Sequence, residues 1–134
     1  MSDFWVDANL ILRFLTKEPT HLAERAFHFF ERAERGDITL HIAPLVVAEV
    51  VWVLGSFYEY SRAEICEELV PFLSSQGLFV QERSLVISTL EIMASANVDF
   101  VDAYLAEVAR QTGYTVASFD QDFRRLDIPW HEPA

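Results

Sequence analysis

The sequence predicts a single α/β domain built on a mostly parallel sheet. Three observations predict it. The apolar pattern switches repeatedly between short strand-like runs and longer helix-like stripes. Helical segments separate the successive strands, and strands connected in that way pair in parallel through right-handed crossovers. The chain has 134 residues, of which 51% are hydrophobic, enough to build one real core and too apolar for disorder. No linker, repeat or low-complexity tract divides it, so residues 1–134 form the expected domain.

Each element has a local reason. Phe4–Val6 reads as a short buried strand. Asn9–Leu15 reads as a helix with Leu10, Ile11, Phe14 and Leu15 as its apolar residues. Glu18-Pro19 or Thr20 opens a second helix, His21–Arg35, and Gly36 ends it. Thr39–Ile42 is the second strand. Pro44 suits the first turn of the next helix, which continues to about Tyr58. Ala43 is a weak cap because it has no side-chain acceptor. Ser61-Arg62-Ala63-Glu64 is a capping box that starts a helix to about Leu73, closed by Gln76-Gly77. Leu78–Val80 is expected as an edge strand and Ser84–Ala94 as an amphipathic helix. Asp99 is expected to cap a helix running to Thr112, with Val101, Leu105 and Val108 as its inward stripe. Gly113 ends that helix, Thr115–Ser118 forms the next strand, and Phe123–Arg125 a helical turn. Ile128-Pro129-Trp130 is expected as a last edge strand.

Composition narrows the function. Ten basic residues stand against 21 acidic ones, for a formal charge of -11. That balance argues against sequence-independent phosphate binding through a basic face, and it suits a partner with a basic surface. Lys17 is the sole lysine. Cys66 is the one cysteine, so an internal disulfide is excluded, as expected in a reducing cytoplasm. Its place in a helical apolar pattern favours a core role over a catalytic thiol. The N-terminus lacks a basic segment followed by an apolar stretch, so no signal peptide is expected. The run Ile42–Leu54 is too short to span a bilayer, so no membrane is expected as a partner.

Glu49 is the one charge within that run. A carboxylate buried there without a partner would be costly, and its pKa would rise. A cation shared with other carboxylates is the best reason for it, with a buried arginine pair as the alternative. Asp7, Asp102 and Asp120 follow or enter apolar segments in the same way. Asp7 and Asp120 come directly after strands, and Glu49 and Asp102 are placed in the first turns of helices. Sites in parallel α/β sheets lie beyond the C-terminal strand ends, where these four acids would meet. Hard divalent ions want such oxygen ligands, which points to Mg²⁺ or Mn²⁺, and a bound cation would relieve the repulsion among the acids.

Neighbouring residues leave choices open. Asp7 could instead cap the following helix. Asp99 fits a cap better than a ligand, and Asp102 is the better ligand. Asp120 is preferred over Asp122, which is read as a supporting or substitute acid. Asn9 and Ser118 could orient carboxylates or metal waters. Arg13 and Lys17 could contact phosphate, or be solvated surface charges. The four histidines show no metal-ligand spacing.

The motifs Val6-Asp7-Ala8-Asn9, Pro44-Leu-Val-Val-Ala-Glu49, Asp99-Phe-Val-Asp102-Ala and Ser118-Phe-Asp120-Gln-Asp122 resemble, in order and separation, those of the PIN-domain family and its VapC-type toxins. The resemblance implies an α/β/α sandwich and Mg²⁺- or Mn²⁺-dependent endoribonuclease activity on RNA. It also implies a toxin–antitoxin pair with a small antitoxin partner, and homodimerisation. Asp7, Glu49, Asp102 and Asp120 take the family's acidic positions, and Asn9 and Ser118 its supporting ones. Ala8 departs from the more usual threonine or serine, which removes a hydroxyl but no ligand. Two other classes compete. A receiver or haloacid-dehalogenase-like phosphoryl-transfer domain also clusters acids on a parallel sheet. However, no lysine follows Lys17, and Asn9 replaces the second acid of Asp-x-Asp. A catalytically silent PIN-like binding module is the other alternative, disfavoured because all four acids are present. A P-loop enzyme is excluded for lack of a Gly-Lys-Ser/Thr element.

Overall fold

A computed structural model describes residues 2–134. Three strands form a parallel sheet: β1 (Ser2–Trp5), β2 (Ile38–Ile42) and β3 (Leu78–Val80), in that spatial order. Two helices, α1 (Ala8–Thr16) and α2 (Thr20–Glu34), connect β1 to β2. Another two, α3 (Pro44–Ser56) and α4 (Arg62–Leu73), connect β2 to β3. These crossovers are long enough to reverse the chain and restart each strand in the same direction. The register pairs Phe4 with Leu40 and Leu40 with Leu78. In the central strand Ile38, Leu40 and Ile42 are buried while Thr39 and His41 are half-buried, the alternation of period two that a strand imposes. Gly77 enters β3 at φ +85°, and a Cβ there would lie 2.2 Å from the Ala33 carbonyl oxygen. Only glycine lets the chain pass so close to α2.

The rest of the chain packs as α5 (Arg83–Ala96), α6 (Phe100–Thr112), β4 (Val116–Ala117), a 3₁₀ helix (Gln121–Leu126) and β5 (Trp130–His131). The mixed α/β class and the parallel pairing are as the sequence predicts. The capping box of α4 is present in full, with Ser61 and Glu64 exchanging side-chain-to-backbone hydrogen bonds. β3 is an edge strand, as expected.

Three expectations need correction. β1 is exposed along its length rather than buried; burial begins at Val6, just beyond it. It is an edge strand here, with a partner on one side only. The late strands form a separate two-stranded parallel sheet, in which β5 supplies β4 with its ladder bonds. In α6 the inward face is Phe100, Ala103, Ala106 and Ala109. Val101 is 61% and Leu105 42% exposed. α6 packs against α5 and buries small alanines, whereas an apolarity count favours large side chains.

Candidate metal centre

The acidic site is assembled by two neighbouring elements. Asp102 is the third residue of α6 and half-buried. The chain leaving β4 folds on itself through two local bonds. The Asp120 N–H donates to Ser118 Oγ at 2.9 Å, and the Asp122 N–H donates to Asp120 Oδ1 at 2.9 Å. Such side-chain-to-backbone bonds two residues apart are what serine and aspartate make in turns. Asp120 thereby caps the 3₁₀ helix. The result brings one oxygen each of Asp102, Asp120 and Asp122 within 4.8 Å of one another.

The electrostatics follow from that convergence. Burial pushes the Asp102 carboxyl above its ordinary range, and the charges of Asp120, Asp99 and Asp122 push it further, while Arg62 pulls it down. An anion so placed is stabilised by a cation among the three. The donors are all carboxylate oxygens, which is the chemistry hard divalent ions select. The three residues therefore fit Mg²⁺ or Mn²⁺. Asp122, read from sequence as a supporting acid, stands in this group beside Asp120. Its Oδ1 also accepts from Arg125 at 3.2 Å.

Asp7 and Glu49 stand outside the convergence of these three acids. Asp7 follows β1 and caps α1, its Oδ1 accepting the Leu10 N–H at 3.0 Å. The capping role weighed from sequence is thus present. Glu49 is exposed, not buried. It is the sixth residue of α3, one turn later than expected. This helix buries Val47, Val50, Val51 and Leu54 and turns Glu49 and Trp52 outward. An apolar run in sequence does not put every residue of a helix inside, because the helix keeps an outer face.

Asp99 holds the N-cap position of α6 but makes no capping hydrogen bond. Its Oδ1 instead accepts from the Arg62 guanidinium at 2.5 Å. Nothing in the sequence singles out Arg62, which follows the Ser61 cap like any helical surface residue. Asn9 is exposed on the first turn of α1. Arg13 is half-buried and donates to the Glu18 carbonyl at 3.1 Å, closing the turn after α1. Lys17 is exposed at the αL C-cap of the same helix. Cys66 is half-buried, and burial pushes its thiol up, away from a reactive thiolate.

A cleft of about 570 Å³ opens beside the acids, between α3, α4 and α6. Asp99 and Asp102 form part of its wall together with Trp52, Tyr60 and Val101. Trp52 is 70% exposed, so the cleft that Asp99 and Asp102 line also carries an exposed apolar side chain. Among the described residues, no single helix is long and apolar enough to cross a membrane.

The chain is 24% identical over 129 residues to the VapC ribonuclease of Aquifex aeolicus (strain VF5), a match covering 96% of this chain and 95% of that protein. Among solved structures, it matches VapBC2 from Rickettsia felis bound to a DNA fragment from their promoter. That match has 15% identity and a TM-score of 0.43, and covers 98% of each chain. The family model for the PIN domain matches residues 4–129. The chain belongs to the PIN-domain family.

Proposed function

We propose that this protein is a Mg²⁺- or Mn²⁺-dependent endoribonuclease, the toxin of a VapBC-type toxin–antitoxin pair acting in the cytoplasm. The observation that carries the reading is the convergence of Asp102, Asp120 and Asp122 within 4.8 Å in a chain of the PIN-domain family. Asp102 and Asp120 would hold the ion, joined by Asp122. Asp7, at the end of β1, and Glu49, on the outer face of α3, are proposed to complete the acidic set. When bound, a divalent ion supplies the Lewis acidity that phosphodiester hydrolysis needs. The residues themselves hold negative charge at one place on an exposed surface, with Ser118 fixing the turn that presents Asp120.

The same reading extends to partners. The ten basic residues of this chain, against 21 acidic ones, offer little non-specific attraction to RNA. Substrate binding would then depend on the ion and on a few placed cations, with Arg13 and Lys17 the candidates on α1 and its cap. The cleft beside the acids, with its apolar Trp52 and Val101 rim, supports a small protein partner with basic residues as the antitoxin. A homodimer is part of the same proposal.

The test is cleavage of RNA by purified protein with Mg²⁺ or Mn²⁺ added, and again in excess chelator. Cleavage is expected only with the metal. Equal cleavage in both conditions would overturn the metal-dependent reading.

A further inference from the structure

Two guanidinium groups, from two different elements, bind the turn between α5 and α6. From α4, Arg62 Nη1 donates to the Asn97 carbonyl at 2.9 Å and to Asn97 Oδ1 at 3.0 Å, while Nη2 donates to Asp99 Oδ1 at 2.5 Å. From the 3₁₀ helix, Arg125 Nη1 donates to the Ala96 carbonyl at 2.7 Å and Nη2 to Asp122 Oδ1 at 3.2 Å. The gripped segment, Ala96–Asp99, is the bend at which the chain turns by 118° from α5 into α6. Asn97 takes the left-handed conformation there, at φ 55°, which asparagine tolerates better than most residues. Three residues beyond Asp99 stands Asp102.

We propose that Arg62 and Arg125 are positioning residues for the metal site. By fixing the Ala96–Asp99 turn they set the start of α6, and so the place of Asp102 relative to Asp120 and Asp122. Arg125 does this from both ends, because it binds the turn and one of the clustered acids. Arg62 also occupies an oxygen of Asp99, so that this acid is held beside the site and not in it. The planar fork of arginine suits the task, since one side chain bonds several acceptors in fixed directions. A lysine carries the charge without that geometry.

The inference rests on the metal reading above, and its test separates the two. Mn²⁺ binding is measured by electron paramagnetic resonance and calorimetry on wild type, Arg62→Ala, Arg62→Lys and Arg125→Ala. Thermal melts establish that each is folded. Charge and positioning predict opposite signs. Removing a cation from an acidic site makes its field more negative, so electrostatics alone would tighten Mn²⁺ binding. Positioning predicts weaker binding, on the order of tenfold, the scale for losing a partner that orients metal ligands. Arg62→Lys should recover little of that loss. Unchanged or tighter binding in folded Arg62→Ala and Arg125→Ala overturns the positioning role, with the metal reading intact if wild type binds. Wild type that binds no Mn²⁺ overturns the metal reading first, and this inference with it.

Discussion

On the sheet side of the molecule, Asp7 is exposed and one of its oxygens receives a backbone N–H. On the α6 side, Asp102 is half-buried and three other carboxylates raise its pKa. Asp7 is the N-cap of α1 and Asp102 lies in the first turn of α6, and their local circumstances are opposite. Asp7 contributes to the fold as a cap, its carboxylate accepting the Leu10 N–H. Asp102 contributes no hydrogen bond of that kind, and its charge works against the folded state. The difference teaches how to separate a structural acid from a functional one. A capping carboxylate is stabilising, so its removal costs stability. A carboxylate held among others against their repulsion is retained for what binds there.

Asp102→Asn should break the comparison most visibly. The substitution keeps the shape of the side chain and removes the charge that burial, Asp120, Asp99 and Asp122 all disfavour. Under the proposed function, RNA cleavage should fall by at least about 100-fold, the scale for losing one preorganised electrostatic group. In chelator the same variant should melt at or above wild type, because repulsion among the acids is relieved. Activity assays with Mn²⁺ and thermal melts in chelator check the two halves. A variant that melts well below wild type would mark Asp102 as structural, like Asp7.

Asp7 itself can be split into its two roles. Asparagine caps a helix about as well as aspartate, whereas alanine offers no acceptor. Asp7→Ala should therefore cost about 1 kcal/mol of stability, read by urea titration, and Asp7→Asn only a few tenths. Both should lose activity if the residue also serves the ion. If Asp7→Asn cleaves RNA as wild type does, the cap is its whole job, and the site is confined to the α6 side.

How far these two sides were legible in the sequence follows the same division. Local chemistry was readable: Ser61 and Glu64 form their box, Pro44 opens α3, and Gly113 ends α6 in the left-handed region. The parallel pairing of β1, β2 and β3 followed from the helices between them. Position in space was harder to read. The apolar sequence neighbours of Glu49 predict an inside position, but α3 turns it outward. The apolar spacing predicts Val101, Leu105 and Val108 as the inward face of α6, whereas α6 buries Ala103, Ala106 and Ala109. Burial depends on the partner helix, and periodicity alone does not choose between a large-residue face and a small one. Asp122 joined the cluster because Asp120 turns the chain back on itself within two residues. Arg62 and Arg125 were invisible for a related reason: Asn97 and Asp99 lie 35 and 37 positions from Arg62, and Ala96 lies 29 from Arg125.

The smallest expected effect sharpens the contrast between two acids at N-cap positions, Asp7 and Asp99. The sequence predicts Asp99 as the cap of α6, and its loss would then cost about 1 kcal/mol, as for any cap. In the structure Asp99 makes no cap bond and pairs with Arg62 instead. Its side chain is 76% exposed and that of Arg62 35%. Exposed pairs of this kind contribute roughly 0.2–1 kcal/mol, and less in salt. Asp99→Ala should thus destabilise less than Asp7→Ala. The origin of its cost can be isolated by a double-mutant cycle with Arg62→Ala, measured by urea unfolding at low and high salt. If the ion pair is the source, Asp99→Ala should cost almost nothing once Arg62 is gone, and the coupling should shrink as salt rises. If Asp99→Ala costs the same with or without Arg62, the residue acts on the helix end directly. The distinction between the capping acid of α1 and the paired acid of α6 would then fail.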